Sequence, residues 1–446
     1  MGRPGASVRW PDGLLAGLAL VLTVATPARA ETVAIVNAKL APMTGGTAET
    51  IEGGTLVIRD GRIVSAGTGA APAGARTIDA GGRWVTPGII PALSNLGVSE
   101  VFEGVRETDD TRARNAVFSA ALDIAVAVNP ASIHLPIQRA SGVTRAVVTP
   151  SPTREIFGGQ GAVITLAAGS ADPVLKSRVF QVVDLSEDGG QTAGGSRPAA
   201  YAIFRNALRD AQDFARNPAA YSGGRERTSI LPRRDAEALV PVVSGRQLLL
   251  IRVERAQDIR NALKLKNEFP ALRLVIVGAA EGWMVAKEIA AARVPVIAYP
   301  LKDLPATFDE LAATQSNVGR MVAAGVSVAL SGLGSGTGEQ PRNLPVDAGN
   351  LVGLSRVPGA AGLTHAQALA AITRVPAAIF GIDAGELAPG RAGDVVIWSG
   401  DPLELATTPV AVLIGGVEQP LRNRQTELRD RYLGLNPDGL TYQYKR

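Results

Sequence analysis

Hydrophobic and polar positions divide the chain into flanks of one texture and a middle of another. From Thr32, the segments "TVAIVNAKLAP" and "GTLVIRDGRIVSAG" have the alternation of half-buried strands, and Asp60-Gly61 is a two-residue hairpin signal because both residues tolerate positive φ. The same texture returns in "GDVVIWSGDPL" and "VAVLIGGVEQP". Two such flanks predict one small β domain assembled from residues 31–86 and 383–446. The stretch from Leu421 to Arg446 reads as a surface helix plus an extension.

The middle, residues 87–382, runs in longer steps. Asn115 to Val128 places Val117, Ala121, Ile124 and Val128 at helical spacing, and "GVTRAVVTP" follows as a buried strand. Further on, "QLLLIRVE", "LRLVIVG", "VPVIAYP" and "GVSVALSG" end near Glu254, Gly278, Tyr299 and Ser331, with helical stretches between them. Short apolar strands at roughly 20- to 30-residue spacing are what βα units of a parallel sheet produce. The expected fold is therefore α/β: a (β/α)8 TIM-like barrel plus a composite β domain formed by both ends. Strands three and four are expected between Phe180 and Val243. The run Gly158-Gly159-Gln160-Gly161 lacks both phosphate-loop patterns and precedes the strand-like "AVITL", so it is read as a glycine-rich loop at the barrel mouth. "SGLGSGTGEQPRN" is expected to be a mobile loop after strand eight.

Composition narrows the setting. The chain has 446 residues, is 46% hydrophobic, and contains no cysteine and two histidines. Arg3 and Arg9, the apolar run Leu14 to Val24 and the Ala28-Arg29-Ala30 site have the form of a secretory signal peptide over residues 1–30. A periplasmic or secreted protein is expected, with no membrane attachment after cleavage. Removing Arg3, Arg9 and Arg29 together with Asp12 lowers the formal charge from +4 to +2. No Lys/Arg run survives to bind nucleic acid. Without cysteines there are no disulfides, so stability rests on the core.

The segments "IVNAKLAP", "GTLVIRDGRIVSAG", "TIDAGGRWVTPGIIPALSNLG", "GLTHAQALAAITRVPAAIFGI" and "GELAPGRAGDVVIWSGDPLE" resemble the amidohydrolase superfamily, particularly its imidazolonepropionase-like branch. The resemblance runs through nearly all of residues 31–446. It implies a barrel with a composite β-sandwich from both termini, a zinc-type metal centre and hydrolysis of carbon–nitrogen bonds other than peptide bonds. In that superfamily, strand one ends in His-x-His; the matching positions here are Leu93 and Asn95. The histidine positions of strands five and six fall on Arg252 and on Ala279 or Ala280, and the strand-eight aspartate falls on Leu333 or Ser331. Leucine has no lone pair, and an amide carbonyl is a weak zinc ligand. His134 and His365 lie outside these positions; His365 follows Thr364, a natural N-cap. The resemblance thus implies a zinc site whose ligands are absent, and no cofactor is expected.

The candidate pocket residues are Asn95, Arg252, Glu254, Glu281 and Ser331. Arg252 needs a partner if buried. Glu254 or Glu281 could pair with it bidentately, or Arg252 could hold an anionic ligand with Ser94, Asn95 and Ser331 adding hydrogen bonds. A hard cation held by Glu254, Glu281 and Asn95 is opposed by the adjacent arginine. Three functions follow. The first is a metal-free pseudoenzyme that binds a small ligand or a protein partner, either a second copy of the chain or a related amidohydrolase. The second is an amide-type hydrolase with a rebuilt site, using Glu254 or Glu281 as base and Arg252 as oxyanion stabiliser. The third is a structural subunit with a packed mouth. An open mouth with Arg252 unpaired separates the first two from the third.

Overall fold

A computed structural model describes residues 2, 31–45, 50–100, 109–219, 230–333 and 340–433. The expected signal peptide, apart from Gly2, lies outside the described residues, as do most of the glycine-rich loop after Leu333 and the end of the tail.

The amino-terminal flank forms strands Thr32–Leu40 (β1), Ile51–Arg59 (β2), Arg62–Gly67 (β3), Arg76–Asp79 (β4) and Trp84–Pro87 (β5). Asp60 and Gly61 both take positive φ, 51° and 75°, and join β2 to β3 in the hairpin that the sequence predicts. The middle supplies Arg145–Val148 (β6), Phe157–Thr165 (β7), Val174–Asp184 (β8), Leu248–Val253 (β9), Arg273–Gly278 (β10), Val296–Ala298 (β11) and Val328–Leu330 (β12). The carboxyl flank adds Val395–Trp398 (β13), Pro409–Ile414 (β14) and Val417–Glu418 (β15). Antiparallel pairing of β13 with β5 welds the two flanks into one eight-stranded sheet, β15-β14-β13-β5-β1-β2-β3 with β4 alongside β1. Helix Arg424–Leu433, with no buried residue, is the expected surface helix.

The middle strands form a second sheet in the order β12-β11-β10-β9-β8-β7-β6. From β8 to β12 all neighbours are parallel, but β7 runs antiparallel to both β6 and β8. The expected all-parallel βα repeat is therefore broken at one place. Only residues 166–173 connect β7 to β8, too few for the helical crossover that parallel strands require. The sheet curls: Ile89 and Ser94 bridge to Val143 and Val148 beside β6, while the Ala92 amide donates to the Leu330 carbonyl of β12 at 3.4 Å.

Alternation along each strand sorts the side chains into two layers. Leu249, Ile251 and Val253 face the helices, packing with Ile259, Ala262 and Leu265, whereas Leu248 and Leu250 join Ala92, Val147, Val163, Phe180, Val275, Ile297 and Ala329 inside the curl. Phe380 and Ile382, from helix Arg374–Phe380 and the residues after it, close one end, with Phe380 5.3 Å from the Phe180 ring.

Three expectations need correction. The Gly158–Gly161 run is part of β7 and is not a loop. A Cβ on Gly161 would stand 1.9 Å from Phe180 Cζ, so glycine there makes room for an interior ring. The strands nearest that window are β7 and β8, which end by Asp184; among the described residues from there to Val243 lie helices Glu187–Thr192, Arg197–Arg216 and Arg233–Val243 and no strand. Asn115–Val128 forms only a 3-10 turn, Ile124–Ala127. Its backbone is claimed from outside: Asp235 accepts from the Ser119 and Ala121 amides, and Asp123 caps Ala125. Val117 is left exposed, and local helical spacing yields to these contacts. Among the described residues no helix is long and apolar enough to cross a membrane.

Candidate functional site

At the carboxyl ends of the curled strands lies a cavity of about 580 Å³. Two-residue periodicity builds it, because Val182 and Asp184 of β8 and Leu250 and Arg252 of β9 point the same way, as do Leu93 and Asn95 beyond the first bridges. Leu93, Val182, Leu250 and Val277 make an apolar floor; Asn95, Asp184, Arg252 and Tyr299 stand around it. The leucine and amide that replace the expected ligand pair are thus floor and wall of one cavity.

The Arg252 side chain is half-exposed and makes no hydrogen bond among the described residues. Its guanidinium lies 3.6 Å from Asp184, 3.9 Å from Asp188 and 4.0 Å from Glu254, and its buried Nε has no partner. The expected bidentate pair is therefore not formed. Glu254 is anchored elsewhere: its Oε2 accepts from the Ala280 amide at 3.0 Å, and its Oε1 is left without a partner. Gly278 makes space for that carboxylate, since at φ +90° a Cβ would come within 2.2 Å of it. Burial lifts the Glu254 carboxyl to about 7, against the pull of Lys302, the Ala280 amide and Arg252. Burial likewise raises Asp184, opposed by Arg252 and by Ser186, whose amide and hydroxyl donate to Asp184 Oδ1 at 2.9 and 2.5 Å. Tyr299 is also pushed up by burial.

Of the sequence candidates, Asn95 and Arg252 line the cavity. Asn95 is 3% exposed, and its buried Oδ1 has no partner. Glu254 stands behind Arg252. Glu281 is turned to the backbone, accepting from the Ala256 and Ala312 amides at 2.9 and 3.1 Å. Ser331 is fully buried; it donates to the Leu93 carbonyl at 3.3 Å and accepts from the Leu333 amide. Ser94 donates to the Val147 carbonyl at 3.0 Å. These last three hold the frame together. Sequence reasoning misses Asp184, Asp188 and Tyr299. The apolar run "FQVVD" ends in an acid just as "LLLIRV" carries its arginine, a signal that goes unread when strands three and four are spread over the whole window to Val243.

The donor set does not fit zinc. At the matching positions stand an alkyl side chain, an amide, a guanidinium, Ala279 and Ala280, and a serine occupied by backbone; a fixed cation amid them opposes a second. Among the described residues no group of three or more His, Cys, Asp or Glu could hold a metal ion. His134 bonds the Glu100 carbonyl at 2.8 Å, and His365 bonds Asp401 at 2.8 Å and stacks on Trp84. Thr364 caps that helix in a capping box with Gln367.

No family model matches the chain. Amidohydrolase tasK of Hapsidospora irregularis is 27% identical over 301 residues, 56% of this chain and 28% of that protein. An imidazolonepropionase of Mesorhizobium japonicum is 45% identical over 67 residues, 14% of this chain and 16% of that one. The chain thus spans less than a third of the length of either curated relative. An amidohydrolase from Thermotoga maritima MSB8 superposes with a TM-score of 0.75 over 87% of this chain and 100% of that one, at 21% identity. The structural likeness establishes the fold. Together with the sequence matches it supports placing the chain in the amidohydrolase superfamily.

Proposed function

We propose that this protein is an exported, metal-free member of the superfamily whose barrel mouth binds a small ligand without hydrolysing it. In this reading the curled sheet is the superfamily's closed barrel and the two-ended sheet its composite β-sandwich. The observation that carries the proposal is Arg252, a permanent cation on the wall of an open cavity of about 580 Å³ and without a hydrogen bond. A packed structural subunit would bury it and hydrogen-bond it to its carboxylates, whereas here Asp184, Asp188 and Glu254 stand at 3.6 to 4.0 Å without a bond. Pairing with a second copy or with a metal-containing relative is the form a protein partner would take.

The test is elemental analysis of chain expressed to the periplasm with added zinc and manganese and without a histidine tag. Less than about a tenth of an equivalent of metal is expected, given ligand positions that offer no imidazole. Near one equivalent would overturn the proposal. A small-molecule thermal-shift screen on the same preparation should find compounds that raise the melting temperature of the native chain and leave Arg252→Ala unmoved.

One observation favours a second reading, a rebuilt amide hydrolase: a carboxyl near pH 7 beside an arginine suits general-base chemistry. Against it, Glu254 is 3% exposed and is not among the residues lining the cavity, so no substrate atom reaches it without a rearrangement. Turnover of cyclic amides that disappears in Glu254→Gln would establish this alternative.

A further inference from the structure

The opposite end of the curled sheet carries a second site that the ligand-binding proposal does not use. Helix Arg374–Phe380 plugs that end through Ala377, Ile379 and Phe380, and along its outer side lies a cavity of about 410 Å³ lined by Arg374, Gly381, Asp383, Glu386 and Arg391. The charges there can be matched one by one. Arg62 holds Asp383 at 2.6 Å, and Arg391 holds Glu386 at 2.8 Å with a second approach to Asp383 at 3.8 Å. Both carboxylates are therefore already paired. Two cations are left over. Among the described residues Lys176, beside the lining at Gly381, donates to the Gly381 carbonyl and makes no ion pair, and the Arg374 side chain has neither an ion pair nor a hydrogen bond, with its Nε buried and unpartnered.

A guanidinium with a buried, unpartnered Nε–H on the wall of a cavity has unmet hydrogen-bonding capacity that water reaches poorly. The planar fork of arginine matches the oxygens of phosphate or carboxylate, and a local surplus of two positive charges selects an anion over a neutral ligand. We propose that this cavity is an oxyanion site in which Arg374 provides the fork and Lys176 the second charge, taking a small phosphate-bearing ligand. It is independent of the mouth cavity, because the residues that line the two are different.

The probe is inorganic phosphate, titrated calorimetrically into the full chain at constant ionic strength, with chloride as the blank. Saturable binding of one equivalent is expected, weakened roughly tenfold or more in Arg374→Gln, which removes the charge-assisted hydrogen bonds to the anion, and largely kept in Arg374→Lys, which retains the charge. Glu386→Gln should tighten binding by releasing Arg391. Vesicles of anionic phospholipid distinguish a headgroup from a free ligand: co-sedimentation that depends on Arg374 and is displaced by phosphate assigns the same site to a membrane surface. If native protein shows no saturable heat, or Arg374→Gln binds phosphate as well as native, the proposal fails. Should Arg374→Gln not fold, unchanged phosphate affinity in Lys176→Gln would overturn it equally.

Discussion

Two arginines of the curled-sheet region each face three carboxylates, with opposite outcomes. Arg197 bonds Asp258 at 3.0 Å and also Asp309, with Glu187 at 3.9 Å; Asp309 in turn accepts from the Glu187 amide. Arg252 has carboxylates at 3.6, 3.9 and 4.0 Å and bonds none of them. The same residue types thus close one cluster and leave the other open. Arg197 ties helix Arg197–Arg216 to its neighbours, whereas Arg252 faces a cavity. Breaking the closed cluster should have the largest effect. Arg197→Ala removes the cation shared by two nearly buried aspartates, leaving Asp258 only Arg255 at 3.1 Å and Asp309 only the Glu187 amide among the described residues, and should cost about 3 kcal/mol in urea-unfolding stability. A loss below about 1 kcal/mol would remove the distinction between the clusters.

The open cluster should show itself next through pH. Folded Glu254 keeps its proton up to about pH 7, whereas the unfolded chain releases it near 4.5. Between those values the folded state binds more protons, so stability falls as pH rises, by up to about 1.4 kcal/mol per unit within the window, and the full cost is reached above pH 7. In Glu254→Gln the amide oxygen can still accept from Ala280, and this component should vanish. Melting curves from pH 4.5 to 8 that decline equally for both proteins would assign the slope to other groups, Asp184 first.

How much of this is legible in the sequence follows from the range of each interaction. The Asp60-Gly61 hairpin, the Thr364 cap and the strands ending near Glu254 and Gly278 are encoded within a few residues, and they can be read directly. β7 and the absent helix at Asn115–Val128 cannot, because what decides them lies far along the chain: Phe180 seated over Gly161, and Asp235 bonded to Ser119 and Ala121. The site divides in the same way. Register along single strands places Asn95 and Arg252 on the wall. Which carboxylates stay free depends on backbone amides that only folding brings near, so Glu281, bonded to Ala256 and Ala312, is indistinguishable in sequence from Glu254.

Arg252 itself should matter less to stability than Arg197, because it makes no hydrogen bond for a substitution to break. Arg252→Ala is expected to cost about 1 kcal/mol near pH 6, mostly through weaker charge balance on Asp184 and Glu254, and the penalty should grow as pH rises through about 7 and Glu254 ionises. A loss as large as that of Arg197→Ala would mean that the guanidinium is a structural partner after all, and would count against ligand binding.

Asn95 gives the smallest effect and a sharp discrimination. A buried acceptor without a partner carries its desolvation cost already, so replacing it with an apolar residue of similar size removes that cost. Asn95→Leu should therefore be neutral within about 0.5 kcal/mol or slightly stabilising, while any small molecule found to bind at the mouth loses affinity. The contrast with Asp235 makes the measurement interpretable: Asp235→Leu removes a carboxylate that serves the Ser119 and Ala121 amides and should destabilise by more than about 2 kcal/mol. If Asn95→Leu destabilised as strongly, Asn95 would belong with Asp235 among the groups that hold the fold, and the mouth would have to be read as part of the frame.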